Sequence, residues 1–190
     1  MSHHFTVWVV AGPAGCGKTT TAKELCKVFD APYVEGDSLH TGLNITKMEN
    51  NIPLSDADRE PWLKSIVPKC FDVAEIADKP KGKHYCVVTC SALKKKYRDI
   101  IRQSARALRD QRGISIGVHF IFLTANEEVL IDRVHSRKDH YMKDSMVESQ
   151  LIIQELPSIS EQVDSITVHV DGKTPEQVLT EIRREIKNFD

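Results

Sequence analysis

Five short apolar-rich runs punctuate the chain: Phe5–Ala11 (FTVWVVA), Pro32–Glu35 (PYVE), Tyr85–Thr89 (YCVVT), Ile116–Leu123 (IGVHFIFL) and Ser165–Val170 (SITVHV). Short runs that are apolar at successive positions suit strands covered on both faces. Between them the period changes to that of helices. Ala22, Leu25, Cys26 and Phe29 form one stripe over Thr20–Phe29, and Leu63, Val67, Cys70 and Ala74 form another over Asp58–Ala77. In the latter, Pro61 suits a first turn, whereas Pro68 is expected to kink or interrupt the helix. A basic helix is predicted from about Leu93 to Arg109. Asn126 is expected to cap a helix reaching Arg137, with Val129, Leu130 and Val134 inward. Ser145–Glu155 reads as a helix stopped before Pro157. Thr174-Pro175-Glu176-Gln177 has the capping-box pattern with proline at N1, opening a helix whose Val178, Leu179, Ile182 and Ile186 face the core. The polar stretch up to Ser55 has little periodicity, and His140–Asp144 reads as a loop.

Strands alternating with helices predict an α/β fold, a parallel five-stranded sheet with helices on both faces, in one domain over residues 1–190. Such sheets bind ligands beyond the carboxyl ends of their strands, which brings Gly12–Thr19, Glu35–Asp37 and Cys90–Ala92 to one rim. Lys and Arg number 26 against 27 Asp and Glu, so no excess of positive charge points to nucleic acid; the short basic run Lys94–Lys96 suits a solvated helix face. No run approaches the ~18 apolar residues of a membrane span, and the first strand starts too early for a secretory leader to be expected. The five cysteines (16, 26, 70, 86, 90) lack a paired C-x-x-C spacing, so reduced, mostly buried thiols in a cytoplasmic protein are expected, with no zinc site.

Gly12 to Thr19 read G-P-A-G-C-G-K-T, a complete Walker A sequence placed between a predicted strand and a predicted helix. Backbone N–H groups of such a loop converge on phosphates, and the helix N-terminus favours their charge. Gly12, Pro13, Ala14, Gly15, Cys16, Gly17, Lys18, Thr19 and Thr20 are therefore the candidate nucleotide-binding residues, with Lys18 on the β- and γ-phosphates and the Thr19 hydroxyl on Mg²⁺. Cys16, near a helix N-terminus, is either a thiol of lowered pKa or, more simply, a small filler of the loop.

Nucleotide binding alone does not specify a reaction. The D-x-x-G at Asp110–Gly113 precedes a strand instead of following one, no N-K-x-D is present, and the strand ending Thr89-Cys90-Ser91 carries no carboxylate. Small kinases instead place acidic residues after the second strand, where Glu35 and Asp37 flank Gly36. Downstream, Asp37, His40, Asn44, Lys47 and Arg59 supply a mixture of donors and acceptors suited to a polyhydroxylated anion.

At this level the chain resembles the gluconokinase family of small P-loop sugar-acid kinases. The resemblance runs nearly end to end, through E-G-D-x-L-H at Glu35–His40, N-x-x-K-M at Asn44–Met48 and P-L-x-D-x-D-R-x-P-W-L at Pro53–Leu63. It continues through C-S-A-L-K-x-x-Y-R-D at Cys90–Asp99, R-x-x-x-R-x-x-H-Y-M at Arg133–Met142, S-Q at Ser149-Gln150 and E-x-P at Glu155–Pro157. Thr41, Pro13-Ala14, Cys16, Asn51 and Gln154 depart from the family pattern without removing a charged position.

The resemblance implies transfer of phosphate from ATP to D-gluconate with Mg²⁺, in a P-loop kinase fold with a small lid near residues 133–144. It makes a homodimer a candidate assembly. By position, Asp37 would orient the acceptor hydroxyl and take its proton, and Glu35 would meet a metal-bound water. Arg59 would pair with the substrate carboxylate or an entering phosphate, a task suited to a planar guanidinium. His40, Asn44, Lys47, Ser91 and His140 are further acceptor-side candidates. Arg133 and Arg137, one helical turn apart, would lean over the nucleotide, Arg137 on the phosphates and Arg133 nearer the base, with Lys138 joining the lid. Two other readings stay open on these residues: a small kinase for another acceptor, such as shikimate or a related sugar acid, and a nucleotide-binding regulator without catalysis.

Overall fold

The computed structural model describes residues 4–50, 52–76, 83–136 and 144–189. Its sheet comprises β1 (His4–Ala11), β2 (Tyr33–Glu35), β3 (Lys83–Thr89), β4 (Ser115–Thr124) and β5 (Ser165–His169). All pairings are parallel, in the order β2-β3-β1-β4-β5. The helices are α1 (Lys18–Phe29), α2 (Gly42–Glu49), α3 (Asp56–Ile76), α4 (Lys95–Arg112), α5 (Glu127–His135), α6 (Asp144–Ile153) and α7 (Pro175–Glu185).

β1 lies at the centre of the sheet, and the apolar residues along it split between two cores. Phe5, Val7, Val9 and Ala11 join Leu63, Ile66 and Val67 of α3 and Ile101 of α4 on one face. Trp8 and Val10 join Ala22 and Leu25 of α1 and Val178 and Ile182 of α7 on the other. The chain steps from β3 on one side of β1 to β4 on the other, so the crevice at the carboxyl end of β1 is the topological switch point. β2 is only three residues long and pairs at the far end of β3, setting Glu35 level with Thr89 at that rim.

Two expectations need correction. The helix expected to break at Pro68 runs unbroken from Asp56 to Ile76 with Pro61 and Pro68 inside it. Pro68 has no N–H to give the Lys64 carbonyl, and the Ser104 hydroxyl of α4 donates to that carbonyl at 2.7 Å instead. Helix α3 also starts earlier than Asp58, because Ser55 and Asp58 close a reciprocal cap: the Asp58 N–H donates to Ser55 Oγ and the Ser55 N–H to Asp58 Oδ2. Second, the polar stretch before Ser55 is not all loop. It holds a 3₁₀ turn, Gly36–Leu39, and helix α2, whose N-cap Thr41 accepts from the Asn44 N–H at 3.3 Å. With eight residues, one of them buried, α2 carries too little apolar periodicity to be read from pattern.

The Thr174 capping box forms as expected, with Pro175 at N1. Asn126 sits at the N-cap of α5 but makes no side-chain capping bond; its own N–H donates to the Asp171 carboxylate instead. The basic run is tied down, Lys94 and Lys96 by Asp56 and Lys95 by Asp99. All five cysteines are free thiols, and no helix among the described residues is long and apolar enough to cross a membrane.

Candidate active site

The phosphate loop follows β1 directly, and its first turn is fixed by backbone. Gly12 has φ +132°, and a Cβ there would overlap the Leu123 carbonyl oxygen and crowd Cys16 Sγ, so only glycine fits. The Gly12 N–H donates to the Ser91 carbonyl at 3.1 Å and the Cys90 N–H to the Val10 carbonyl at 3.1 Å, stitching the ends of β1 and β3 together. Lys18 Nζ lies over the loop, donating to the carbonyls of Gly12 (3.0 Å) and Pro13 (2.8 Å). Cys16 is buried beneath the loop, and desolvation raises its thiol pKa against the pull of Lys18. The lowered pKa entertained from its place near a helix N-terminus is therefore corrected: Cys16 is a filler.

On one side of the loop a cleft of about 320 Å³ is lined by Gly15–Gly17, Thr20, Thr21, Arg133, Val170, Lys173, Pro175 and Val178. Arg133 Nη2 reaches the Val170 carbonyl at 3.4 Å. This cleft opens beside the N-terminus of α1 and has the place and lining of a nucleoside pocket. Lys173, between β5 and α7, carries no sequence motif, and Pro175 was legible only as the start of α7.

On the other side stands the acidic turn. A Cβ at Gly36 would overlap the Thr89 carbonyl oxygen, so glycine lets β2 end in contact with β3 and leaves Glu35 and Asp37 flanking the switch point. Trp62 of α3 holds the turn by donating Nε1–H to the Gly36 carbonyl at 2.7 Å. Glu35 is clamped by two hydroxyls, Tyr33 Oη and Thr89 Oγ1, each 2.5 Å from one carboxylate oxygen. Burial and the hydrogen bond to Glu35 push the Tyr33 phenol up to about 12, so it stays a donor. Asp37 is exposed at the start of the 3₁₀ turn yet close to surrounding protein. Desolvation raises its pKa, Lys18 opposes the rise, and Glu35 reinforces it. The interaction with Lys18 makes the acidic turn and the phosphate loop two walls of one site.

The remaining acceptor-side candidates converge behind Asp37, but largely on one another. His40 stacks on Trp62 with ring centroids 4.0 Å apart, and burial followed by the nearby Arg59 lowers its pKa despite Asp37, which raises it. Buried Asn44 gives its Nδ2 to the Asp58 carbonyl at 2.8 Å, with His40 Nδ1 3.3 Å away. Lys47 Nζ pairs with Asp58 Oδ1 at 2.6 Å. Arg59 donates to the Leu54 carbonyl and lies 5.8 Å from the centre of the Tyr97 ring. Asn44 and Lys47 thus anchor α2 to the start of α3, while Asp37, His40 and Arg59 line the approach. Arg137, Lys138 and His140, and with them most of the expected lid, lie outside the described residues.

The rim at Ser91 is set by a residue that carried no role in the sequence reading. Arg98 of α4 is fully buried, and its guanidinium forks onto Glu161 at 2.8 and 3.0 Å. Its Nη1 also donates to the carbonyls of Ala92, Leu93 and Glu155. Ala92 takes a left-handed φ of 39°, costly for a residue with a Cβ, and Arg98 holds it there.

Comparison with known proteins agrees with this geometry. Residues 7–158 match a family model described as an AAA domain. The chain is 48% identical to a probable gluconokinase of Schizosaccharomyces pombe over 87% of its own length and 80% of the relative's. It is 39% identical to a probable gluconokinase of Saccharomyces cerevisiae, over 97% and 92% of the two chains. The crystal structure of a gluconokinase from Sinorhizobium meliloti superimposes with a TM-score of 0.74 at 33% identity, covering 97% of this chain and 91% of that one. With a phosphate loop, an acidic turn at the end of β2 and relatives of this likeness, the chain belongs to the gluconokinase family of P-loop kinases.

Proposed function

We propose that this chain transfers the γ-phosphoryl group of ATP to D-gluconate, giving 6-phospho-D-gluconate and ADP. Kinship with gluconokinases supports the reaction, and one observation carries the chemistry: the Asp37 carboxylate, its pKa raised by desolvation, stands near enough to Lys18 for the two charges to interact. A raised carboxyl pKa makes a better base than a solvated aspartate.

Phosphoryl transfer asks for alignment and for neutralisation of spreading charge. The loop N–H groups and Lys18 hold the phosphates, while Thr20 and Arg133 lie along the nucleoside cleft. Asp37 accepts the proton of the acceptor hydroxyl as its oxygen bonds to the γ-phosphorus, and the electron pair of the breaking P–O bond leaves with ADP. Arg59 and His40 face the acceptor, where the guanidinium pairs with the gluconate carboxylate. Ser91 sits at the same rim, and Arg137 and His140 are proposed to close over it.

Mg²⁺ fits the donors present. Thr19, in the first turn of α1, interacts with the Tyr33 hydroxyl, itself bonded to Glu35, so hydroxyl and carboxylate oxygens of the kind a hard cation takes come together beside the loop. Thr19 would ligate the ion, and Glu35 would hold one of its waters. Bound there, the ion would neutralise charge on the β- and γ-phosphates.

A coupled ADP-release assay tests the reading, with Mg-ATP and a panel of D-gluconate, other sugar acids, shikimate and nucleoside monophosphates. Gluconate-dependent turnover is expected. Turnover with another acceptor alone would replace the substrate, and nucleotide binding without any turnover would make the protein a regulator.

A further inference from the structure

The Ser149-Gln150 pair belongs to none of the roles above, yet Gln150 makes the longest-range contact with the phosphate loop. Its Oε1 accepts from the Ala14 N–H at 2.7 Å, across 136 residues of sequence. That N–H is a particular one. Pro13 has no N–H, the Gly12 N–H is committed to the Ser91 carbonyl, and with the Ala14 N–H held by Gln150 the first three residues of the loop leave no N–H over for a phosphate. A backbone N–H only donates, so the amide oxygen must be the end of Gln150 that meets it. The NH₂ end, with two donors, is thereby set one amide width from the loop.

Gln150 is presented by a fixed helix. Val147 of α6 is fully buried in the core shared with α1 and α5. Just past the end of α6, the Glu155 N–H donates to the Leu93 carbonyl at 2.8 Å, and Arg98 holds the Glu155 carbonyl at 2.9 Å. Gln154, one turn on, directs its Nε2 at Thr124 Oγ1 at 3.5 Å, at the end of β4. The helix is thus tied to the ends of β3 and β4, the strands that flank β1 and its loop.

We propose that Gln150 is a specificity-determining residue for the triphosphate: its oxygen sets the Ala14 N–H and its NH₂ donates to an oxygen of the γ-phosphoryl group. A neutral amide does this where a carboxylate would repel the phosphate and an aliphatic side chain would leave Ala14 unpaired. The inference rests on the kinase reading only for its effect on turnover, because its main prediction concerns binding and needs no acceptor.

The test uses the full chain, with ADP and a non-hydrolysable ATP analogue titrated by calorimetry and melting curves as a check on folding. Gln150→Glu keeps an oxygen for Ala14 but replaces the NH₂ donor with negative charge. It is expected to weaken the analogue at least about tenfold while leaving ADP within about twofold, since a charge-assisted bond is exchanged for like-charge repulsion. Gln150→Leu is expected to lose preference for the analogue as well, by a smaller factor. If the first variant binds both nucleotides as the parent does, or if either variant weakens ADP and the analogue equally, Gln150 is only a brace for Ala14 and the proposal fails. Failure of the parent to phosphorylate gluconate would overturn the proposed reaction while leaving these binding ratios readable.

Discussion

The loop Gly12–Thr19 and the segment Glu35–Leu63, which meet through the charges of Lys18 and Asp37, are built from different material. The loop is made of backbone: Gly12 packs against Leu123, and its N–H is pinned by Ser91. Of its side chains, Lys18 and Thr19 are the ones given a proposed ligand. The acceptor wall is made of side chains that bond each other: Asn44 to Asp58, Lys47 to Asp58, His40 on Trp62 and Trp62 on the Gly36 carbonyl. Damage in the first wall should be confined to the group removed, whereas damage in the second should spread to its neighbours.

Lys18→Met probes the backbone wall most severely. It is expected to cut turnover at least ~10³-fold by removing the charge that follows the transferring group, with an unchanged melting curve. A kcat near that of the parent would remove Lys18 from the mechanism. Asp37→Asn comes next, with a loss of about 10²–10⁴-fold in kcat, the range for a positioned general base, and a much smaller change in gluconate KM. Because the base must be ionised, parental kcat/KM should fall as pH drops through the Asp37 pKa, at a higher pH than for an ordinary aspartate, and the variant should lack that limb. An effect on KM alone would make Asp37 a binding group.

Asn44→Ala tests whether damage spreads in the side-chain wall. It removes the buried amide that donates to the Asp58 carbonyl, and takes a neighbour from His40. Stability should fall by about 1–3 kcal/mol in denaturant titration, with gluconate KM raised and ATP KM unchanged. A parallel rise in both constants would mean the two walls are not separable. Ser104→Ala is the mildest, because among the described residues its hydroxyl serves the Lys64 carbonyl freed by Pro68. A loss of about 0.5–1 kcal/mol is expected, read as a Tm lower by a few degrees, with kinetics unaltered.

The backbone wall was legible in the sequence because its requirements are local. G-P-A-G-C-G-K-T between an apolar run and an amphipathic helix leaves few alternatives, and E-G-D after a short strand locates the carboxylates. The acceptor wall was legible only as a cluster of polar residues. Helix α2 is capped locally by Thr41 but held against α3 by Asn44 and Lys47, through contacts 14 and 11 positions apart. Such pairs leave no periodic trace. The Ser55–Asp58 cap was readable, as it is a three-residue spacing with a known geometry, and it marks the start of α3 better than the apolar stripe does.

By itself the sequence determined the parallel sheet, the strand each loop follows, the identity of the phosphate loop and the family, all of which depend on period, spacing and order along the chain. Tertiary structure alone decided that Pro68 leaves α3 unbroken, that Cys16 is buried and not activated, and that Asn44 and Lys47 brace the wall. It also decided that Arg98 holds the Ser91 rim and that Gln150 reaches Ala14. Each of these turns on which donor meets which acceptor, or on how much water a group loses, between segments that only packing brings together.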